Sequence, residues 1–330
     1  MSQARMFALD GARGLAAFSI LLFHILGLEF RVFAHLYMAV DFFFVLSGFV
    51  LAPSLSRVTN LRTAIIFLRS RFLRIFPMVL AVITFTVSYD LLVIGKHLIL
   101  GEAQSTPIIL SIPTLAFSIL MLQVFYKPAV LVDYPVWSLS AEWIANILVA
   151  VLNSVSRKKT SLAVMLGGLM LIYSALTDLE IFNQLGRAVW GFSIGLIAFE
   201  LQGFYARYAL SIKIIASLLV PVYLFLPSLG YLQSLISVGP FAALILILAG
   251  QRVPLQASKI CAFVGKYSYG FYLWHFPMLS VVGIMIGDLK TSKFIILVYL
   301  LEITLTGLLS LLATKISLTL FEEPIRRQWK

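Results

Sequence analysis

An aspartate, an arginine and a histidine interrupt the first apolar run of the chain, at Asp10, Arg13 and His24. Ionisable groups within such runs are costly to hold in hydrocarbon, so each is a functional candidate. Asp10 and Arg13 are three residues apart and can pair on one helix face. Arg13 and His24 are eleven apart, close to three whole turns, and share a stripe. Asp10 then lies about 21 Å from His24 along the axis. Further on, Asp41, Glu142, Arg187 and His275 fall within or at the edge of other apolar runs, and Arg71 and Arg74 sit where one begins. Imidazole titrates near neutrality and suits a general base. A nearby carboxylate can fix its tautomer. Guanidinium groups suit bidentate binding of phosphate. An arginine-rich inner set and an outer set of one histidine and two carboxylates fit a polyanionic donor on one side and hydroxyl chemistry further across. The same groups would serve a proton-coupled secondary transporter of an organic anion, where His and carboxylates relay protons. A lone intramembrane histidine also commonly does no more than hydrogen-bond across helices. Trp137 fits the interfacial belt. Glu302 and Lys315, thirteen apart in the last run, face different sides and receive no chemistry.

The elements that hold these groups follow from composition. Hydrophobic residues make up 61% of the 330 and charged residues 12%, with a mean hydropathy of +1.01. Soluble domains carry roughly 25% charged residues. The apolar runs are long and continuous and lack the ten-residue alternation of a membrane barrel, so helices are expected. The reading is all-α: one integral membrane domain over 1–330, a polytopic transmembrane helix bundle. Ten spans are expected, near 7–28, 36–54, 73–95, 137–155, 161–178, 187–203, 211–227, 231–250, 265–286 and 294–320, each close to the ~20 residues that cross the hydrocarbon. The formal charge of +11 needs no nucleic acid to explain it, because membrane proteins concentrate Lys and Arg in cytoplasmic loops. The single cysteine, Cys261, excludes an internal disulfide and a cysteine-based zinc site.

Charge also sets the topology. With ten spans and the N-terminus inside, most of the 25 Lys and Arg residues are cytoplasmic; Arg31, Lys96, Lys127, Arg187, Lys290 and Lys293 are outside. The apolar stretch 107–125, with Pro107 and Pro113, would place Arg157, Lys158 and Lys159 outside if it crossed. A re-entrant or surface-lying segment is therefore expected there, with both termini cytoplasmic. Over 56–74, Val58, Leu61, Ile65, Leu68 and Phe72 recur at helical spacing among five arginines. That pattern reads as an amphipathic helix on anionic headgroups, which leaves room for an anion site at its end.

Seven segments together resemble the acyltransferase-3 family of integral membrane O-acyltransferases: LDGARGLAAFSILLFH (Leu9 to His24), VDFFFVLSGFVL (Val40 to Leu51), RSRFLRIFP with its R-x-x-R pair Arg71 and Arg74, WSLSAEW (Trp137 to Trp143), RAVWGFSIG, SYGFYLWHFP (Ser268 to Pro277) and FEEPIRR. Each is weak alone, but they stand in order over nearly the whole chain. Trp143 replaces a second acid that the family often has, and no esterase-like domain follows, so a stand-alone form is expected. The resemblance implies acyl-CoA as donor, with acetyl-CoA the first expectation. It implies a carbohydrate or glycoside acceptor, such as a cell-surface polysaccharide or its lipid-linked precursor. It also implies the cytoplasmic membrane as location, no metal, and a bilayer partner with room for a homo-oligomer. His24 is then the base, Asp41 or Glu142 its orienting carboxylate, and His275 the competing histidine. Arg71 and Arg74, with the Asp10–Arg13 pair, would hold the nucleotide phosphates. Ser138, Ser140 and Trp137 are candidate oxyanion donors. An acyl-His24 intermediate stands beside direct transfer. The rivals are the anion transporter, against which no internal repeat is seen, and a non-catalytic membrane scaffold, which would not need His24, Asp41 and Glu142 within spans.

Overall fold

The computed structural model describes residues 6–100, 111–126, 135–155, 159–203, 233–251, 253–291 and 294–328, and every regular element among them is helical. In chain order these are α1 (Phe7–Leu26), the short α2 (Arg31–Ala34), α3 (Ala39–Leu55), α4 (Leu61–Leu100), α5 (Ile112–Ile119), α6 (Val136–Val155), α7 (Lys159–Thr177), α8 (Glu180–Glu200), α9 (Gln233–Ala249), α10 (Leu255–Ile286), α11 (Ile295–Ser317) and α12 (Glu323–Gln328). A 3-10 turn, His35–Met38, joins α2 to α3, and a π-helical turn, Leu318–Glu322, joins α11 to α12.

Seven of the described helices or helical runs are long and apolar enough to cross a membrane: α1, the run Arg31–Leu55, α4, α6, α7, α10 and the run Ile295–Ile325. They correspond to seven of the ten expected spans. Two further spans do form helices, but α8 carries Asn183, Gln184 and Arg187 in its first half, which dilutes its hydropathy, and α9 has only 17 residues. The expected span 211–227 lies outside the described residues, as does Arg157–Lys158.

The described part of the expected re-entrant stretch, 111–125, is an eight-residue helix followed by a turn at Met121 (φ 54°) and a 3-10 turn, Gln123–Phe125. Eight residues rise about 12 Å, well short of the ~30 Å hydrocarbon core. Ser111 caps α5 by accepting from the Thr114 amide at 3.2 Å.

The arginine-rich stretch is not a separate surface helix. From Leu61 onward it is the first part of α4, which runs unbroken through Pro77 for 40 residues. Asn60 starts it, its Oδ1 accepting from the Thr63 amide at 3.0 Å. At 1.5 Å per residue α4 is about 60 Å long, twice the hydrocarbon thickness. The amphipathic segment and the third span are therefore parts of one continuous helix.

The chain divides into two compact units. The first comprises Met1–Arg69 and Ala141–Tyr269. Small residues close its helices upon one another, as membrane helix interfaces require where water exclusion provides no drive. A Cβ at Gly48 of α3 would meet the Phe192 carbonyl of α8, and one at Gly195 of α8 would meet the Val45 carbonyl and lie 2.8 Å from the Phe49 amide nitrogen. Gly167 of α7 faces the Trp190 backbone in the same way. In α1, Gly14 packs on Val264 and Gly11 on Cys261, while Gly265 packs on Asp10, so the first helix lies against the start of α10. Gly195→Leu should strip folded monomer from detergent extracts several-fold, read by fluorescence-detected gel filtration. Gly283→Ala, where a Cβ meets nothing within 4 Å, should leave the profile unchanged. Equal profiles for both would refute the close α3–α8 approach.

The second unit comprises Ser70–Ser140 and Gly270–Lys330. Val282 and Ile286 of α10 cluster with Val298 of α11. Trp274 packs edge-on against Phe85 at 5.1 Å and donates through Nε1 to Ser317 Oγ at 3.1 Å. Gly270 admits the Thr314 side chain of α11.

Candidate active site

His24, Asp41, Glu142, Asp10 and Arg13 belong to the first unit; Arg71, Arg74 and His275 belong to the second. In the first unit, Asp10 and Arg13 form the i,i+3 ion pair expected of their spacing. His24 lies in the last turn of α1, with its ring edge-on to Phe23 at 5.0 Å.

Asp41 is almost fully buried, 1% exposed, near the start of α3. Its Oδ1 accepts from Arg187 Nε of α8 at 2.9 Å, and its Oδ2 accepts from Ser234 and Ser237 of α9 at 3.2 and 3.4 Å. Three helices are thus joined at one carboxylate. The Arg187 guanidinium lies over the Tyr37 ring at 5.5 Å, and Tyr37 donates to Gln233 Oε1 at 3.0 Å. Tyr37 also meets Phe23 at 5.8 Å. The described path from His24 to Asp41 runs through these rings and the guanidinium. Asp41 is therefore the counter-ion of Arg187 in this structure, a partnership that sequence reading left out.

Glu142 of α6 accepts from Ser47 Oγ of α3 at 2.6 Å. Its backbone carbonyl also accepts from Asn146 Nδ2 at 2.8 Å. Ser47 lies in the Ser-Gly-Phe part of the α3 motif, which is the signal that could have picked it out.

In the second unit His275 is wholly buried. Its Nδ1 lies 2.5 Å from the Tyr272 carbonyl. A carbonyl only accepts, so Nδ1 carries a hydrogen and donates it. Tyr272 is itself held: its hydroxyl is 2.7 Å from Ser138 Oγ and donates to the Pro135 carbonyl at 3.2 Å. Ser138 also donates to the Pro135 carbonyl at 3.0 Å, and Ser140 Oγ accepts from the Val124 amide at 3.2 Å. The two serines of the Trp-Ser-Leu-Ser motif thus have structural partners. Arg71 is half-buried and Arg74 exposed, three residues apart on α4. No group of three or more potential metal ligands occurs among the described residues.

These features define a class: a multi-pass helical membrane protein that buries acids, arginines and histidines within its spans. A family model described as an acyltransferase domain matches residues 6–320, and the chain belongs to the acyltransferase-3 family. It is also similar to "Protein 2 in picA locus" of Rhizobium radiobacter, 38% identical over 94 residues, which are 27% of this chain and 49% of that protein. The chain thus spans about half the length of that curated relative. No solved structure matches it.

Proposed function

We propose that this protein transfers an acyl group, acetyl in the first instance, from cytoplasmic acyl-CoA to a hydroxyl of a carbohydrate or glycoside on the far side of the cytoplasmic membrane. The observation that carries this reading is the family match over residues 6–320. The buried polar groups support it. In the proposed step, His24 takes the proton of the acceptor hydroxyl while its oxygen attacks the thioester carbonyl. The carbon–sulfur bond then breaks and the thiolate of CoA recovers the proton from the imidazolium, so the reaction is balanced without a further reactant. Glu142 or Asp41 would steady the base. Arg71 and Arg74, with Arg13 beside Asp10, would hold the donor phosphates. Both termini would then be cytoplasmic.

The test is transfer by the purified full-length protein in lipid nanodiscs. Radiolabelled acetyl-CoA is supplied with a panel of alkyl glycosides, and both free CoA and acetylated glycoside are measured. Equal release of CoA and acetyl ester, dependent on acceptor, is expected. Uptake of an organic anion by proteoliposomes with no ester formed would instead favour transport.

A further inference from the structure

Among the described residues, a buried polar pair on α11 is used by nothing above. Glu302 is 2% exposed, and its Oε1 accepts from Lys290 Nζ at 3.0 Å. Its Oε2 is buried and has no hydrogen-bond partner among the described residues. Thr306, one turn further on and fully buried, has the same deficit at Oγ1. That is unusual for this helix. Thr304, Ser310 and Thr314 all turn their hydroxyls back onto the carbonyl four residues earlier, at 2.6–2.7 Å. Such back-bonding is the ordinary refuge of a hydroxyl in a span, and Thr306 does not take it.

Two adjacent orphaned oxygens are costly to bury. A structural ion pair would account for one oxygen of Glu302 and nothing of Thr306. Lys290 is 40% exposed and already balances the carboxylate charge, so the pair offers hydrogen bonds without net charge. A neutral hydroxyl compound fits that chemistry better than an anion or a metal ion. Glu302 lies seven residues beyond the start of α11, about 10 Å along the axis, with Thr306 about 6 Å further. Lys290, in the α10–α11 connection, is on the side that charge counting assigns to the outside, where the acceptor would arrive.

We infer that Glu302 Oε2 and Thr306 Oγ1 form a hydroxyl-binding subsite for a neutral, polyhydroxylated acceptor, with Lys290 at its mouth. The inference rests on the acyl-transfer reading for the identity of its ligand. The probe is an alkyl glucoside bearing a diazirine, cross-linked to the full-length protein in nanodiscs and mapped by peptide mass. Wild-type protein should be labelled within α11 and protected by excess octyl glucoside. Glu302→Gln and the near-isosteric Thr306→Val should each cut that labelling at least tenfold, with a matching rise in the glucoside KM and little change in the KM for acetyl-CoA. Wild-type labelling of both variants would overturn the subsite and leave a bridging water or a structural ion pair as the role of these atoms. So would absence of α11 label in wild-type protein. If Glu302→Gln fails to fold, Thr306→Val decides alone. Labelling of α11 without ester formation would sink the transfer reading and keep the subsite; normal transfer with an unchanged glucoside KM in Thr306→Val would do the reverse.

Discussion

His24→Ala should abolish ester formation while the protein still inserts, elutes as a folded species and binds acetyl-CoA. Removal of a general base typically slows a reaction 10²–10⁴-fold, enough to take transfer below detection. Binding should survive because His24 is about 21 Å along α1 from Asp10 and its ion pair with Arg13. His275 is the rival. Its Nδ1 is committed to the Tyr272 carbonyl, and the Tyr272 side chain is held by Ser138 and Pro135. A ring so fixed has its orientation set by the Nδ1 bond. The two variants in one assay decide: near-normal transfer by His24→Ala with a dead His275→Ala exchanges the roles. The carboxylates separate by another readout. Asp41→Asn leaves Arg187 buried opposite an amide, and breaking a buried pair costs roughly 3–5 kcal/mol. It should therefore lower thermal stability as well as rate. Glu142→Gln keeps an acceptor for Ser47 and should cost rate more than stability.

Arg71→Ala and Arg74→Ala should each weaken acetyl-CoA binding by ten- to a hundredfold, whereas Arg57→Ala should change it less than twofold. A hydrogen bond to a charged group is worth roughly 1.5–3 kcal/mol, which corresponds to that range. Arg71 and Arg74 are three residues apart on α4, one half-buried and one exposed, just before the continuously buried stretch Pro77–Val79. Arg57 is exposed and precedes the helix. Isothermal titration with CoA and with dephospho-CoA would read the effect. Small, equal losses at all three arginines would point to lipid headgroups as their partners.

The family, the helical class and most element positions were legible because they rest on local order. Apolar runs fix the helices, and motif residues such as Asp10 and Arg13 pair within one turn. What sequence did not show is long-range. Ser47 and Glu142 are far apart in the chain, and no periodicity links them. Arg187 and Asp41 both fall at outer ends of expected spans, but only packing of α3 on α8 selects that pair. The glycines explain why: Gly48, Gly191 and Gly195 let the two backbones approach closely, and a glycine in a sequence names no partner. Hydropathy has a related limit: Asn183 and Arg187 lower that of α8, although it is a helix of 21 residues.

The Asp41–Arg187 bond has a consequence for biogenesis. Its partners are 146 residues apart. At a synthesis rate of about 5–20 residues per second, the carboxylate waits roughly 7–30 s for its guanidinium. Throughout that interval α3 carries an acid whose counter-ion has not yet been made. Holding that acid near the headgroups or within the insertion machinery until α8 arrives would avoid its cost in hydrocarbon. Maturation of this protein is then paced by a late helix, and a ribosome stalled before residue 187 would leave a nascent chain that quality control can distinguish by its unneutralised acid.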